Sequence, residues 1–178
     1  MNRVGQFYKV SFDEYCKARE AQGHFGCVET YEGIQLPTRA TTGSAGYDFK
    51  APVGFTLEPG ESIKIPTGIR VKIANGWMLA CFPRSGLGFK YRVQLDNTVG
   101  IIDSDYFNAD NEGHIFAKIT NDSKENKTVR IKRGEAFMQG IFIPYGITCD
   151  DAASGVRKGG LGSTSVTNII EFAQKQAA

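Results

Sequence analysis

A chain of 178 residues and 19.5 kDa is the length of one domain, enough to bury a substantial core without disulfides or a structural metal. Its 21 basic side chains against 19 acidic ones leave a formal net charge of +2, so no footprint for stable nucleic-acid binding stands out and any phosphate is bound locally. Four scattered cysteines without a C-x-x-C pair, only two histidines and no run of about 18 apolar residues argue against a zinc site, a Ser-His-Asp relay and a membrane span, and they point to reduced thiols in a cytoplasmic protein.

The first ten residues carry no long apolar stretch behind their basic residue and do not read as an export signal. Ser11 to Gln22 predicts a helix: Ser11 caps it, Glu14 completes a capping box, Phe12, Tyr15, Cys16 and Arg19 fall on or near one face, and Gly23 stops it. This helix is expected to cover one side of a core and to carry no chemistry.

From Leu36 onward the pattern becomes short alternating runs broken by Gly, Pro, Asn and Asp. Ile63-Lys64-Ile65 and Ile69 to Ile73 alternate strictly, as do Ile115, Ala117 and Ile119, and Val129 and Ile131. Trp77 to Phe82 is apolar throughout, as expected of a strand buried on both faces, and Phe137 to Ile143 adds another buried run. Many short strands with almost no helix among them predict an all-β sandwich, jelly roll or barrel. Beyond Asp150 the composition turns polar, then basic and rich in glycine and hydroxyls, the composition of a flexible arm. The chain is thus expected to divide into a helical extension (1–35), a β core (36–149) and a C-terminal arm (150–178).

Five stretches bear on chemistry. Asn97 to Tyr106, N-T-V-G-I-I-D-S-D-Y, is an apolar strand ending in carboxylates, which makes Asp103 the first catalytic candidate; alone, the segment reads as easily as a polar turn closing a hairpin. Pro83 to Lys90 offers Arg84, Ser85, Gly86 and Lys90 as an anion cradle, or simply a solvated basic turn. Ser44-Ala45-Gly46-Tyr47-Asp48 combines small residues with a carboxylate, and Gly134 to Gly140 places the amide of Gln139 in an apolar strand. Arg157 to Ser165 supplies basic, glycine and hydroxyl groups suited to grasping phosphate.

Taken in their order along the chain, from Ser44-Ala45-Gly46-Tyr47-Asp48 to the glycine-rich tail, the five stretches resemble the five motifs of the homotrimeric dUTPase family, over about Leu36 to Ser165, with P-R-S-G-L and G-I-I-D-S-D-Y the most specific. The resemblance implies a distorted jelly-roll or β-barrel subunit with a short N-terminal helix and a flexible C-terminal arm. It also implies a homotrimer with active sites shared between subunits, each arm reaching onto a neighbour, and hydrolysis of dUTP to dUMP and pyrophosphate with Mg²⁺ held by the triphosphate.

By matching position, Asp103 activates the attacking water, and Arg84, Ser85, Gly86 and Gln139 bind or support phosphates. Asp48 belongs to the metal-water shell, and Arg157, Gly162, Ser163 and Thr164 contribute from the arm. The main chain of the hairpin, Gly100 and Ile102 included, reads uracil together with the Asn97 amide, while the ring of Tyr106 packs on the deoxyribose. Three departures stand out: the longer segment Phe107 to Gly113, Ala136 where the family has an arginine, and Leu161 where it has a base-capping aromatic. Arg157 or Lys158 is the expected substitute for the missing guanidinium, and Phe107 for the missing ring. Two other readings fit the same residues: a dCTP deaminase of the same fold, and an added role binding a regulatory protein through the longer loop or the N-terminal helix.

Overall fold

Alternation of apolar and polar side chains builds this fold, because each run of period two can bury one face of a strand. A computed structural model describes residues 2–160. In chain order these form β1 (Gly5–Lys9), α1 (Phe12–Glu20), α2 (Val28–Glu32), β2 (Tyr47–Lys50), β3 (Phe55–Leu57), β4 (Ser62–Pro66), β5 (Ile69–Ile73) and β6 (Trp77–Pro83). After these come α3 (Ser85–Tyr91), β7 (Val93–Leu95), β8 (Gly100–Ile102), a 3-10 turn over Ser104–Asn108, β9 (Phe116–Asn121), β10 (Val129–Ile131) and β11 (Ala136–Pro144).

The strands pair antiparallel in a four-stranded sheet, β2-β11-β6-β8, and a three-stranded sheet, β4-β9-β7, with two ribbons, β1-β5 and β3-β10. One core joins them: Phe49, Val71, Leu79, Ile119, Val129 and Phe137 are all buried in it. The mostly-strand, jelly-roll character expected from the periodicity is what the chain adopts. No helix among the described residues is long and apolar enough to cross a membrane.

Several local features differ from what periodicity predicts. The first strand, β1, pairs along β5 with Gly5 opposite Ile73 and Lys9 opposite Ile69, and its continuation Val10 is buried. Tyr15 and Ala18 of α1, with Cys27 and Ile34, are buried as well, so residues 5–34 pack into the same core as the strands. The helix is shorter than expected and ends at Glu20, before Gly23.

Only half of its capping box forms. The Ser11 hydroxyl accepts from the Glu14 amide at 3.1 Å, but the Ser11 amide donates to Glu112 of the longer loop, at 2.8 Å. The strand β6 is fully buried only at Leu79, Ala80 and Cys81, its ends being half-buried where the sheet meets loops. Pro83 to Lys90 is no turn: it runs from β6 directly into α3 despite Gly86 and Gly88, both of which face open space.

Candidate active site

Strand register assembles the first group of candidate residues. Asp48 of β2 lies opposite Gln139 of β11, and Gln139 lies opposite Phe82 of β6. The ladder therefore sets a carboxylate and an amide beside the end of β6, where Arg84 leaves the strand. Arg84 Nε stands 3.2 Å from Asp48 Oδ1, and Gln139 Nε2 donates to the Pro83 carbonyl at 3.3 Å. Gly46 leaves room for that amide: a Cβ on it would meet Gln139 Oε1 at 2.5 Å and turn the side-chain amide aside. Ser85 and Gly86 open α3 next to this cluster.

The hairpin between β7 and β8 builds the second group. Thr98 takes a left-handed φ of 66°, its amide donates to Leu95 O at 2.8 Å, and the Val99 amide donates to Asn97 O at 2.7 Å. The two strands then diverge into different sheets, β7 along β9 and β8 along β6. Both are edge strands, so their outer N–H and C=O groups have no ladder partner. Between them lies a cavity of about 520 Å³ lined by Asn97, Gly100, Ile101, Ile102, Phe116 and Met138, among others. At its rim Lys118 Nζ sits 2.8 Å from Asp96, and this bond, with a second from the Thr120 hydroxyl, holds the Asp96 carboxyl below its ordinary range.

Asp103 follows β8 in extended conformation and starts the 3-10 turn that carries Tyr106. Tyr106 is only 2% exposed; its hydroxyl donates to His114 O at 2.8 Å and accepts from Asn111 Nδ2 at 2.9 Å, and burial pushes its ionisation upward, keeping it a neutral donor. The longer loop folds back through Glu112 and Gly113, both with positive φ, and a Cβ on Gly113 would strike Tyr106 O at 2.5 Å.

Below the loop, the fully buried His114 accepts from the Gly68 amide on Nε2 at 2.9 Å, so the proton of the neutral ring sits on Nδ1, 3.3 Å from Glu14 Oε1. The pair has ion-pair spacing, but burial lowers the His114 pKa to about 4, so the contact is a hydrogen bond from a neutral imidazole. Burial likewise raises Glu14. Glu112 is pushed up by burial too, yet the Ser11 hydroxyl and amide and the Arg70 charge outweigh that, and its carboxyl ends below the usual range.

Arg157 reaches this second group. Its Nη2 donates to Asp103 Oδ2 at 2.7 Å, and its Nε lies 3.1 Å from Asp105 Oδ1 at an angle unsuited to a hydrogen bond, a contact of charge alone. Its guanidinium carbon also stands 5.3 Å from the centre of the Tyr106 ring. Ala136 opens β11 opposite Lys50, so that strand offers no guanidinium at its start, and the one that meets Asp103 is that of Arg157.

Phe107 does not replace the absent ring at the cavity. It stacks on the Arg70 guanidinium at 3.8 Å and near Tyr8 at 5.7 Å, while its carbonyl accepts from Arg70 at 2.5 Å. Leu161, Gly162, Ser163 and Thr164 lie outside the described residues. Sequence reasoning missed Asn111, Glu112 and His114, whose only trace in the sequence was the extra length of the loop.

The two groups stand at opposite ends of β6. Ile102 is opposite Leu79, so Asp103 continues beyond it toward Met78, whereas Arg84 is six residues further along. At about 3.3 Å per residue that is roughly 20 Å, out of reach of any pair of side chains.

A family model described as dUTPase matches residues 32–164. The chain belongs to the dUTPase family. It is 41% identical over 145 residues, 79% of the chain and 95% of the relative, to the deoxyuridine 5'-triphosphate nucleotidohydrolase of Lactococcus lactis. The enzyme of that name from Haemophilus ducreyi is 40% identical over 135 residues, 71% of this chain and 84% of the relative. Among solved structures, the dUTPase of Streptococcus mutans superimposes with a TM-score of 0.60 at 32% identity, over 82% of this chain and 98% of that one. The relatives are dUTP hydrolases, which favours that reading over the deaminase.

Proposed function

We propose that the chain hydrolyses dUTP to dUMP and pyrophosphate at a site completed by a second copy of itself, with a threefold homotrimer as the assembly. The observation that carries this is the polarity of β8 against β6. From Asn97 through Gly100 and Ile102 to Asp103, the groups suited to base, sugar and attacked phosphorus run along β8 away from the chain's own Arg84. Phosphates that follow the sugar past Asp103 therefore leave this chain's Arg84, Ser85 and Gln139 behind, and the same group on a neighbour meets them.

Chemistry follows from the two groups. Water is a weak nucleophile at neutral pH, and the Asp103 carboxylate accepts its proton as it attacks the α-phosphorus. Charge developing on the pyrophosphate is met by Arg84, by the Ser85 hydroxyl and Gly86 main chain, and by Arg157 with Gly162, Ser163 and Thr164 of the arm. The Asp48 carboxylate, already engaged by Arg84, suits a water-mediated contact with Mg²⁺ carried on the triphosphate rather than direct ligation. That ion neutralises phosphate charge when bound.

Uracil enters the cavity between the diverging edge strands, where unpaired main-chain groups of Gly100 and Ile102 and the Asn97 amide read its edge. The deoxyribose takes the place of Arg157 on the Tyr106 ring, and close packing there leaves no room for a 2′-hydroxyl. Pyrophosphate release from dUTP, UTP, dTTP and dCTP with magnesium tests the activity. Turnover of dUTP alone is expected, and ammonia release from dCTP would replace this reading by deamination. Light scattering tests the assembly, with three chain masses expected; an active monomer would overturn the shared site.

A further inference from the structure

The longer segment after Tyr106 takes hold of that residue at both ends. At the backbone end, the Ala109 amide donates to Tyr106 O at 3.1 Å. Gly113, at a φ of 70°, lies so close under the same turn that a Cβ on it would be 2.5 Å from Tyr106 O and 2.8 Å from Phe107 Cα. At the far end of the ring, the Tyr106 hydroxyl donates to His114 O at 2.8 Å and accepts from Asn111 Nδ2 at 2.9 Å. A phenol held through both its donor and its acceptor cannot swing on its side-chain torsions without breaking those bonds.

Both partners of the hydroxyl are themselves fixed. Asn111 Oδ1 accepts from the Gly113 amide at 3.2 Å, and Asn111 O accepts from the His114 amide at 3.0 Å, which sets the direction of the side-chain amide. On the other side, His114 Nε2 accepts from the Gly68 amide at 2.9 Å, and the amide of the next residue, Ile115, donates to Ile69 O at 2.9 Å. The acceptor of the hydroxyl is thus rooted beside β5, in the core.

Discrimination between sugars depends on that stiffness. One hydroxyl is a small difference, and a pocket that merely offers it no partner rejects it by only about 10²-fold. Rejection by close packing fails once the wall yields by a fraction of an ångström, so the support behind the ring matters as much as the ring.

We propose that Asn111 is a positioning residue for sugar selectivity: through its bond to the Tyr106 hydroxyl, the segment Phe107 to Gly113 braces the ring against a 2′-hydroxyl. This rests on the reading above in which the deoxyribose packs on Tyr106. It gives the longer loop a part in choosing deoxyribonucleotides over ribonucleotides, and none in the chemical step.

Pyrophosphate-release kinetics on dUTP and UTP test it. The unaltered protein should favour dUTP in kcat/KM by about 10²-fold or more. Asn111→Ala and Asn111→Leu remove the donor, and each should lower that preference by about 10-fold, mainly through a lower KM for UTP, with kcat on dUTP changed less than about 3-fold. Tyr106→Phe keeps the ring and removes the atom at which both bonds meet. It should lower the preference at least as much, and adding Asn111→Ala to it should lower it no further. Glu112→Gln loosens the same loop at Ser11 instead of at Tyr106, and its preference should equal that of the unaltered protein.

An undiminished preference for dUTP in both Asn111 variants would overturn the brace and leave the sugar contact standing. A loss in Glu112→Gln as large as in Asn111→Ala would also overturn it, since loosening alone would then suffice. An unaltered protein that turns over UTP as well as dUTP would overturn the sugar contact and the brace with it.

Discussion

The two ends of β6 are built by different means. At the Arg84 end the strand ladder places everything: Asp48, Gln139 and Phe82 lie side by side because β2, β11 and β6 are in register, and one glycine, Gly46, makes room for the amide. At the Asp103 end β8 stops pairing at Ile102, and the residues that follow it are outside any ladder. Tyr106, Asn111, Glu112 and Arg157 are placed by side-chain hydrogen bonds, by two residues with positive φ, and by contacts with α1. A ladder holds its side chains in one geometry, whereas a bonded loop can exchange partners, as Arg157 would on the proposed binding of a sugar at the Tyr106 ring. The rigid end suits binding and the adjustable end suits chemistry.

The largest expected effect breaks the chemical end alone. Asp103→Asn should lower kcat by about 10³-fold, with KM for dUTP changed only a few-fold, because an amide cannot accept the water's proton. A variant retaining more than about a tenth of the original kcat would remove Asp103 from that role.

Glycines sharpen the contrast next. Gly113→Ala forces a Cβ against Tyr106 O at positive φ and should cost about 3 kcal/mol, read from urea midpoints, whereas Gly88→Ala in α3 meets nothing and should be neutral or stabilising by up to about 1 kcal/mol. Equal costs at the two sites would erase the distinction.

Acid should weaken the loop end. The unfolded chain protonates His114 near the ordinary imidazole value of 6.5, while the folded chain resists until about 4, so the stability due to neutral His114 is present above 6.5 and lost as pH falls toward 4. The full loss is about 3 kcal/mol, reduced by the raised Glu14 beside it, which works in the opposite sense. Urea midpoints at pH 7.5 and 4.5, with His114→Gln as the flattened comparison, measure it; parallel profiles for the two proteins would rule the mechanism out. The smallest effect is that of Glu112→Gln, which weakens the bonds from Ser11 and should lower stability by about 1 kcal/mol in thermal unfolding.

The Arg84 end was legible in the sequence because its parts sit on alternating strands and in short motifs: Asp48, Arg84 and Gln139 come together as the order of the motifs implies. Asp103 likewise sits where an apolar strand ends. The strand β1 went unread although Phe7 faces inward, because Gly5, Gln6 and Lys9 dilute its alternation. Gly86 and Gly88 hid α3, since glycine is a poor helix former. Hardest to foresee was the network of Asn111, Glu112, His114 and Ser11, which joins residues about a hundred positions apart through a loop whose path depends on positive φ at Glu112 and Gly113. Local propensity does not encode such long-range side-chain pairing.

Because Arg84 follows β6 and Asp103 follows the antiparallel β8, each chain of the proposed ring lends its two ends to two different sites. A subunit damaged at both Asp103 and Arg84 would therefore silence two sites rather than one, and in a population of mixed chains the harm would exceed the damaged fraction. The seven-residue length of β6 is what would spread that damage over two sites.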